Sequence, residues 1–271
     1  MAAPNEITSS QLIRLIGLPD APTIVDVSTD DDFALDPLLI PGAFRHAHTE
    51  LAGLKERLKG RACVIVCQNG LKLSQGVAAH LRCDGITAEY LQNGNTGWSA
   101  HPDAPRLPAA AVPPSVCGST LWVTRHRPKI DRIACPWLIR RFVDSKARFL
   151  FVSPSEVASV AERFGAQPFD IEGVHWSHRG DLCTFDTMLD EFGLNMPALA
   201  RLATVVRAAD TNNHDLAPQA AGLLAISVGL SRQYRDDTAQ MEAGMAIYDA
   251  MYRWARDGTN EGHDWPAGHR Q

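Results

Sequence analysis

Residues 62–67 read Ala-Cys-Val-Ile-Val-Cys, a short β-branched run without a polar member, and lead at once into Gln-Asn-Gly-Leu-Lys-Leu. Such a run suits a strand buried on both faces, and strands of that kind belong to parallel sheets covered by helices. Residues 74–82 follow with Val77, Ala78 and Leu81 on one helical face. Strand, loop and helix make one βα unit. Residues 23–27 (TIVDV) supply a second strand and residues 88–91 a weaker third. Residues 9–16 place Leu12, Ile13 and Ile16 at helical spacing, with Ser9 or Ser10 as N-cap. Alternating strands and helices predict an α/β domain whose mainly parallel sheet is flanked by helices.

The 271 residues are enough for about two domains. The sharpest break lies at residues 101–115 (HPDAPRLPAAAVPPS), where five prolines in fifteen residues read as a linker. The chain therefore divides into residues 1–105, a Pro/Ala-rich linker at 106–118, and a second domain at 119–271. That domain opens with a strand at 121–124 and a second candidate at 148–152. Helical patterns follow at 136–143, 155–164, 185–192, 197–209, 218–230 and 240–256, so it is expected to be mainly α-helical. Gly165 and Gly193 stand at expected helix ends, and Pro197 and Pro218 suit first turns.

Composition narrows the function classes. The content is 45% apolar, and no apolar run reaches the roughly 20 residues of a membrane helix, so no membrane partner is expected. The first residues show no basic stretch followed by an apolar one, which points to the cytoplasm and to reduced thiols. Six cysteines without a Cys-x-x-Cys pair argue against zinc ribbons and thioredoxin-type sites. A net charge of −5 disfavours a generic nucleic-acid binder, and a DNA partner stays the less favoured alternative.

Cys67 closes the strongest strand and precedes a helix. The unpaired amides of such a loop, with the positive end of the helix dipole, favour an anion and favour a thiolate over a thiol. Gly70 permits the curvature such a cradle needs, and Lys72 adds a charge. The alternative is a small buried residue that ends the strand.

Residues 24–28 (IVDVS), Asp32-Phe33, 40–43 (IPGA), 67–74 (CQNGLKLS) and 94–98 (GNTGW) together resemble a rhodanese domain, over roughly residues 8–105. The resemblance implies that Cys67 takes up a sulfane sulfur as a persulfide and passes it to a thiol acceptor. It also implies that the amides of Gln68, Asn69, Gly70, Leu71, Lys72 and Leu73 cradle a small oxyanion or sulfur donor. Two positions depart from the family pattern. Ser28 and Lys72 stand where many members carry arginine, and a lysine lacks the bidentate fork that grips an oxyanion.

Residues 122–141 carry Arg125, Arg127, Lys129, Arg132, Arg140 and Arg141 against one acid, Asp131. Pro136 reads as a first-turn residue, which places Cys135 at an N-cap where cations and helix dipole favour its thiolate. The alternative is a solvated basic face over a buried Cys135. Downstream, His175 and His178 precede Cys183 and Asp186, and His178, Cys183 and Asp186 supply ligand types for a first-row metal. The competing reading makes the histidines surface residues, and Thr184 and Asp186 the cap and first-turn acid of the next helix. The polar interval at 210–215 either completes a pocket with His178 or forms a turn.

Residues 127–141, 168–170 (PFD), Ser177-His178 with 183–186 (CTFD), 209–211, 215–222 and 248–250 resemble the chromate-resistance protein family over about residues 119–257. That resemblance implies a bacterial chromate-resistance context, and some members are implicated in chromate-responsive regulation. Arg132, Cys135 and Asp210 are candidate site residues of this domain, His178, Cys183 and Asp186 candidate ligands of a divalent metal ion, and Trp137 and Leu216 expected core. The leading expectation couples thiol or persulfide chemistry at Cys67 to binding of chromate or a metal in the second domain. A chromate-responsive sensor or transcriptional regulator without catalysis is the alternative. Cys63, Cys83 and Cys117 are expected only to pack.

Overall fold

The computed structural model describes residues 4–262. Its first part contains β1 (Glu6–Ile7), α1 (Ser9–Ile13), β2 (Thr23–Asp26), α2 (Asp30–Leu35), β3 (Leu38–Leu39), β4 (Phe44–Arg45), α3 (Leu51–Leu58), β5 (Cys63–Val66), α4 (Lys72–Cys83), β6 (Ala88–Leu91) and α5 (Gly94–Ala100). Five strands form one sheet in the order β1-β6-β5-β2-β4, with every neighbouring pair parallel. The expected parallel sheet with flanking helices is present.

Strand periodicity assigns the two faces. In register, Ile24 lies opposite Val64 and Val25 opposite Ile65. Val25, Ile65 and Cys67 pack with Leu54, Leu58, Val77, Ala78 and Leu81 of α3 and α4. Ile24, Val64 and Val66 point the other way, as alternation requires. That second face joins Leu12, Ile16 and Trp98 in a buried cluster that continues into Trp137, Phe142 and Tyr252. The two parts of the chain thus share one core. Gly17 marks a close approach: its φ is +81°, and a Cβ there would stand 2.3 Å from Phe142 Cζ. The amide of Gly42 donates to the carbonyl of Phe142 at 2.6 Å.

The proline-rich stretch differs from the expected linker. β7 (Leu107–Pro108) pairs antiparallel with β3, Leu107 is fully buried, and the Trp98 indole donates to the Pro105 carbonyl at 2.9 Å. Proline lacks a ladder donor and is confined to sheet edges, so a stretch that reads locally as a spacer forms a short edge pairing against the shared core.

The second part contains β8 (Leu121–Arg125), α6 (Asp131–Leu138) running into a π turn at Ile139–Val143, β9 (Arg148–Val152), α7 (Val157–Phe164), β10 (Gln167–Pro168), α8 (Thr184–Glu191), α9 (Pro197–Asp210), α10 (Ala220–Gln233) and α11 (Asp237–Arg253). It is mainly helical, as expected, around a three-stranded parallel sheet in the order β10-β8-β9. The sequence reading lacked β10, whose two residues are too few for any periodic signal. Trp137 occupies the middle of the helical layer, with the rings of Phe142, Phe185, Tyr248 and Tyr252 at 5.6–6.4 Å. Leu216, expected in the core, is 45% exposed. Among the described residues, no helix is long and apolar enough to cross a membrane.

Candidate functional site

Two polar centres stand at the carboxyl ends of parallel strands, the place where α/β sheets offer loops and helix N-termini to a ligand. The first surrounds Cys67, one residue beyond β5. Gly70 has φ +67°, and a Cβ there would fall 2.5 Å from the Leu91 carbonyl oxygen. A Cβ on Gly94 would fall 2.0 Å from the carbonyl oxygen of Cys67. Two backbone loops are therefore pressed together, tied by the amides of Asn95 and Thr96 donating to the carbonyls of Cys67 and Gln68 at 3.0 and 2.9 Å. Cys67 is only 5% exposed, and its thiol donates to Ser74 Oγ at 3.1 Å, in the first turn of α4. The first amides of a helix have no preceding turn to bond. Among the described residues, the N–H groups of Leu71, Lys72 and Leu73 find no protein acceptor. Lys72 is exposed as the first residue of α4. Beneath the loop, buried Asp26 accepts from the Ser28 amide at 2.8 Å and from Asn95 Nδ2 at 3.0 Å. Ser28 thus serves as a turn residue.

The second centre gathers residues far apart in sequence. His178 Nε2 lies 3.2 Å from Asp210 Oδ2, 3.4 Å from Asp170 Oδ1 and 3.6 Å from Asp131 Oδ2. Asp170 follows β10 by two residues in a left-handed conformation (φ +53°), one that aspartate tolerates better than most side chains. Its Oδ2 meets Arg125 Nη2 and Arg132 Nε, both at 3.2 Å. Asp131 opens α6 and Asp210 ends α9. Thr184, the first residue of α8, donates its amide to Asp131 Oδ2 at 2.7 Å and its hydroxyl to Asp170 Oδ1 at 3.0 Å.

The electrostatics follow from burial. Desolvation, reinforced by Asp210 and Asp170, pushes the carboxyl of fully buried Asp131 well above the usual range. Burial also opposes ionisation of Asp170, but His178, Arg132 and Arg125 together hold it below the usual range. Hydrogen bonds to Asp170 and Asp210 raise His178 to about 10.

Of the residues singled out in the sequence, the fold brings Arg132, His178 and Asp210 together, while Cys135, Cys183 and Asp186 have other partners. Cys135 is not an N-cap. α6 begins at Asp131, so Cys135 lies in its second turn, entirely buried, and Pro136 falls inside the helix. The early start depends on Ile130, held at φ +42° with its amide bonded to Ser227 Oγ and its carbonyl to the Tyr248 hydroxyl. Desolvation and the neighbouring carboxylates push the Cys135 thiol well up, opposite to the expected thiolate. Cys183 is itself the N-cap of α8, paired with Asp186 in a capping box, and burial raises its thiol too. Asp186 is spent on Cys183 and on Arg207, whose Nη1 donates to it at 2.7 Å. Cys183 and Asp186 thus have other partners, and the ligating atoms of Asp131, Asp170 and His178 lie within 4.8 Å of one another. Cys63 packs as expected, whereas Cys83 and Cys117 are exposed. Sequence reasoning missed Asp131 and Asp170. The signals were there: one acid among six cations, and the last residue of a Pro-Phe-Asp triplet.

Residues 122–255 match the family model described as ChrB, C-terminal domain. The second domain is similar to the ChrB C-terminal domain. A curated relative, Protein ChrB of Cupriavidus metallidurans, is 33% identical over 132 residues, which cover 48% of this chain and 39% of that protein. The matched region thus spans about two-fifths of that relative. The carboxylate–histidine centre lies wholly within the matched region. Among solved structures, the chain is similar to a rhodanese-like domain protein from Staphylococcus aureus (27% identity, 35% of this chain, 90% of that chain, TM-score 0.31). It is also similar to a thiosulfate sulfurtransferase from Pseudomonas aeruginosa (24% identity, 35% of this chain, 18% of that chain, TM-score 0.32).

Proposed function

We propose that this chain is a chromate-resistance protein of the cytoplasm whose first domain carries sulfur on Cys67 and whose ChrB domain ties that chemistry to the oxyanion stress. The observation that carries the reading is the position of Cys67 at the carboxyl end of β5, against the first turn of an α-helix whose leading amides find no acceptor among the described residues. Amides and helix dipole stabilise negative charge at that point, both on a thiolate and on a transferred sulfur.

The chemistry is a double displacement. The Cys67 thiolate attacks the sulfane sulfur of a donor such as thiosulfate, a new S–S bond forms, and sulfite leaves with the electron pair of the broken bond. An acceptor thiolate then attacks the outer sulfur, takes it as a persulfide, and restores the Cys67 thiolate. The loop amides balance the charge of the persulfide between the two steps. Lys72 adds a point charge in place of a bidentate grip, which favours acceptance of several small anionic donors over tight selection of one.

Arg132 is not a free seat for chromate, since Asp170 already takes its guanidinium. The polar centre of the ChrB domain brings three carboxylates together and disfavours an oxyanion. Cyanolysis with thiosulfate tests the proposal: the wild type is expected to form thiocyanate, and Cys67→Ala to lose that activity. Equal rates in both would remove the assignment.

A further inference from the structure

We infer that Asp131, Asp170 and His178, with Asp210 beside them, form a binding site for a first-row divalent cation. The inference stands apart from sulfur transfer at Cys67, which lies in the other domain.

Four features carry it. The first is geometry. Bonds of roughly 2.0–2.2 Å place neighbouring ligand atoms of a six-coordinate ion about 3 Å apart. The ligating atoms of Asp131, Asp170 and His178 lie within 4.8 Å of one another, so small side-chain rotations bring these three onto one ion, and Asp210 stands beside them at 3.2 Å from the His178 nitrogen.

The second is an unpartnered ligand atom. Asp131 is entirely buried, and among the described residues its Oδ1 has no hydrogen-bond partner, although its Oδ2 faces His178 and Thr184. A buried carboxyl oxygen left alone is costly, and a cation bound there removes that cost while letting Asp131 ionise.

The third is the placement of Asp210. It is the last residue of α9, where the unpaired carbonyls already concentrate negative charge and an acid is disfavoured. A cation beside it removes the conflict.

The fourth is support and access. Thr184 fixes Asp131 and Asp170, and Arg125 and Arg132 hold Asp170 from the side away from Thr184, the outer contacts that orient ligands. His178 is 39% exposed and, with Asp170, Arg125 and Ser177, lines an open cavity of about 740 Å³ through which an ion can reach the buried carboxylates.

Carboxylate ligands suit manganese and magnesium, and an imidazole shifts preference toward manganese, iron and zinc. The class is therefore a divalent first-row ion held by oxygen with one nitrogen. The two thiols nearby do not join the set, for Cys183 is bound to Asp186 and Cys135 is closed inside α6.

The test is titration of the chelator-treated full chain with Mn²⁺, read by the loss of the free-ion EPR signal, and with Zn²⁺, read by calorimetry. One saturable equivalent per chain is expected for at least one of the two ions. Asp210→Asn should weaken it at least tenfold, and Thr184→Val, which removes only the supporting hydroxyl, by on the order of tenfold. Asp131→Asn should abolish it, and if that variant does not fold, Asp210→Asn decides. Cys67→Ala should bind as the wild type does. Absence of a saturable equivalent for both ions, or binding unchanged in folded Asp210→Asn, would overturn the inference.

Discussion

The Thr184 amide donates to Asp131 Oδ2 at 2.7 Å, joining the first residues of two helices 53 positions apart. α8 offers an unpaired N–H at its start, and α6 opens with the acid that takes it. Removing the acceptor leaves a buried donor alone, at a cost of about 1–3 kcal/mol. Asp131→Ala is therefore expected to lower stability by at least that amount in urea denaturation. A variant as stable as the wild type would show that the contact does not hold the two helices.

Stability should depend on pH through His178. Hydrogen bonds to Asp170 and Asp210 raise this imidazole from 6.5 to about 10. For a base raised in the folded state, the contribution is complete below the unfolded value and is lost as pH climbs through the folded one. Asp131, Asp170 and Asp210 face the ring, with Arg125 and Arg132 behind Asp170. In the metal-free protein, the advantage of wild type over His178→Gln is expected to shrink steadily from pH 6.5 to about 10. A gap that is constant with pH would contradict the ion-pair account.

Thiol reactivity separates the cysteines. Cys83 and Cys117 are exposed and should react with a disulfide reagent at once in the native state. Burial pushes the Cys63 thiol up to about 12 and those of Cys135 and Cys183 upward as well. These three are expected to react only after denaturation. Fast native modification of Cys135 or Cys183, located by peptide mapping, would revive a thiolate role for them.

The shared core has a mechanical consequence. Ile16 and Trp98 belong to the same buried cluster as Phe142 and Tyr252, so the two domains should melt in one transition. Gly17→Ala drives a Cβ into the Phe142 ring at a backbone position with φ +81°. It should destabilise that whole transition by on the order of 1–3 kcal/mol or more. Two separate calorimetric transitions would show that the halves fold independently.

The local parts of this architecture were legible. The apolar run before Cys67 announced a buried parallel strand, and helical spacing located the helices of the second domain to within a few residues apart from α6. Long-range geometry was not legible. The start of α6 hangs on Ile130, whose strained turn is secured by Ser227 and Tyr248 from distant helices. Without those partners in view, Pro136 looked like a first-turn residue and Cys135 like a cap. The carboxylate–histidine centre spans residues 131 to 210, and only the fold brings its members together. Asp186, close to His178 in sequence, proved to belong to Arg207 instead.

The account stands on Cys67 as a sulfur carrier, and mass spectrometry of the intact loop peptide tests it most directly. After incubation with thiosulfate and removal of small molecules, the wild-type peptide bearing Cys67 should gain the mass of one sulfur atom and lose it on addition of cyanide. A Cys67 that stays a free thiol under those conditions, with donor in excess, would contradict the account.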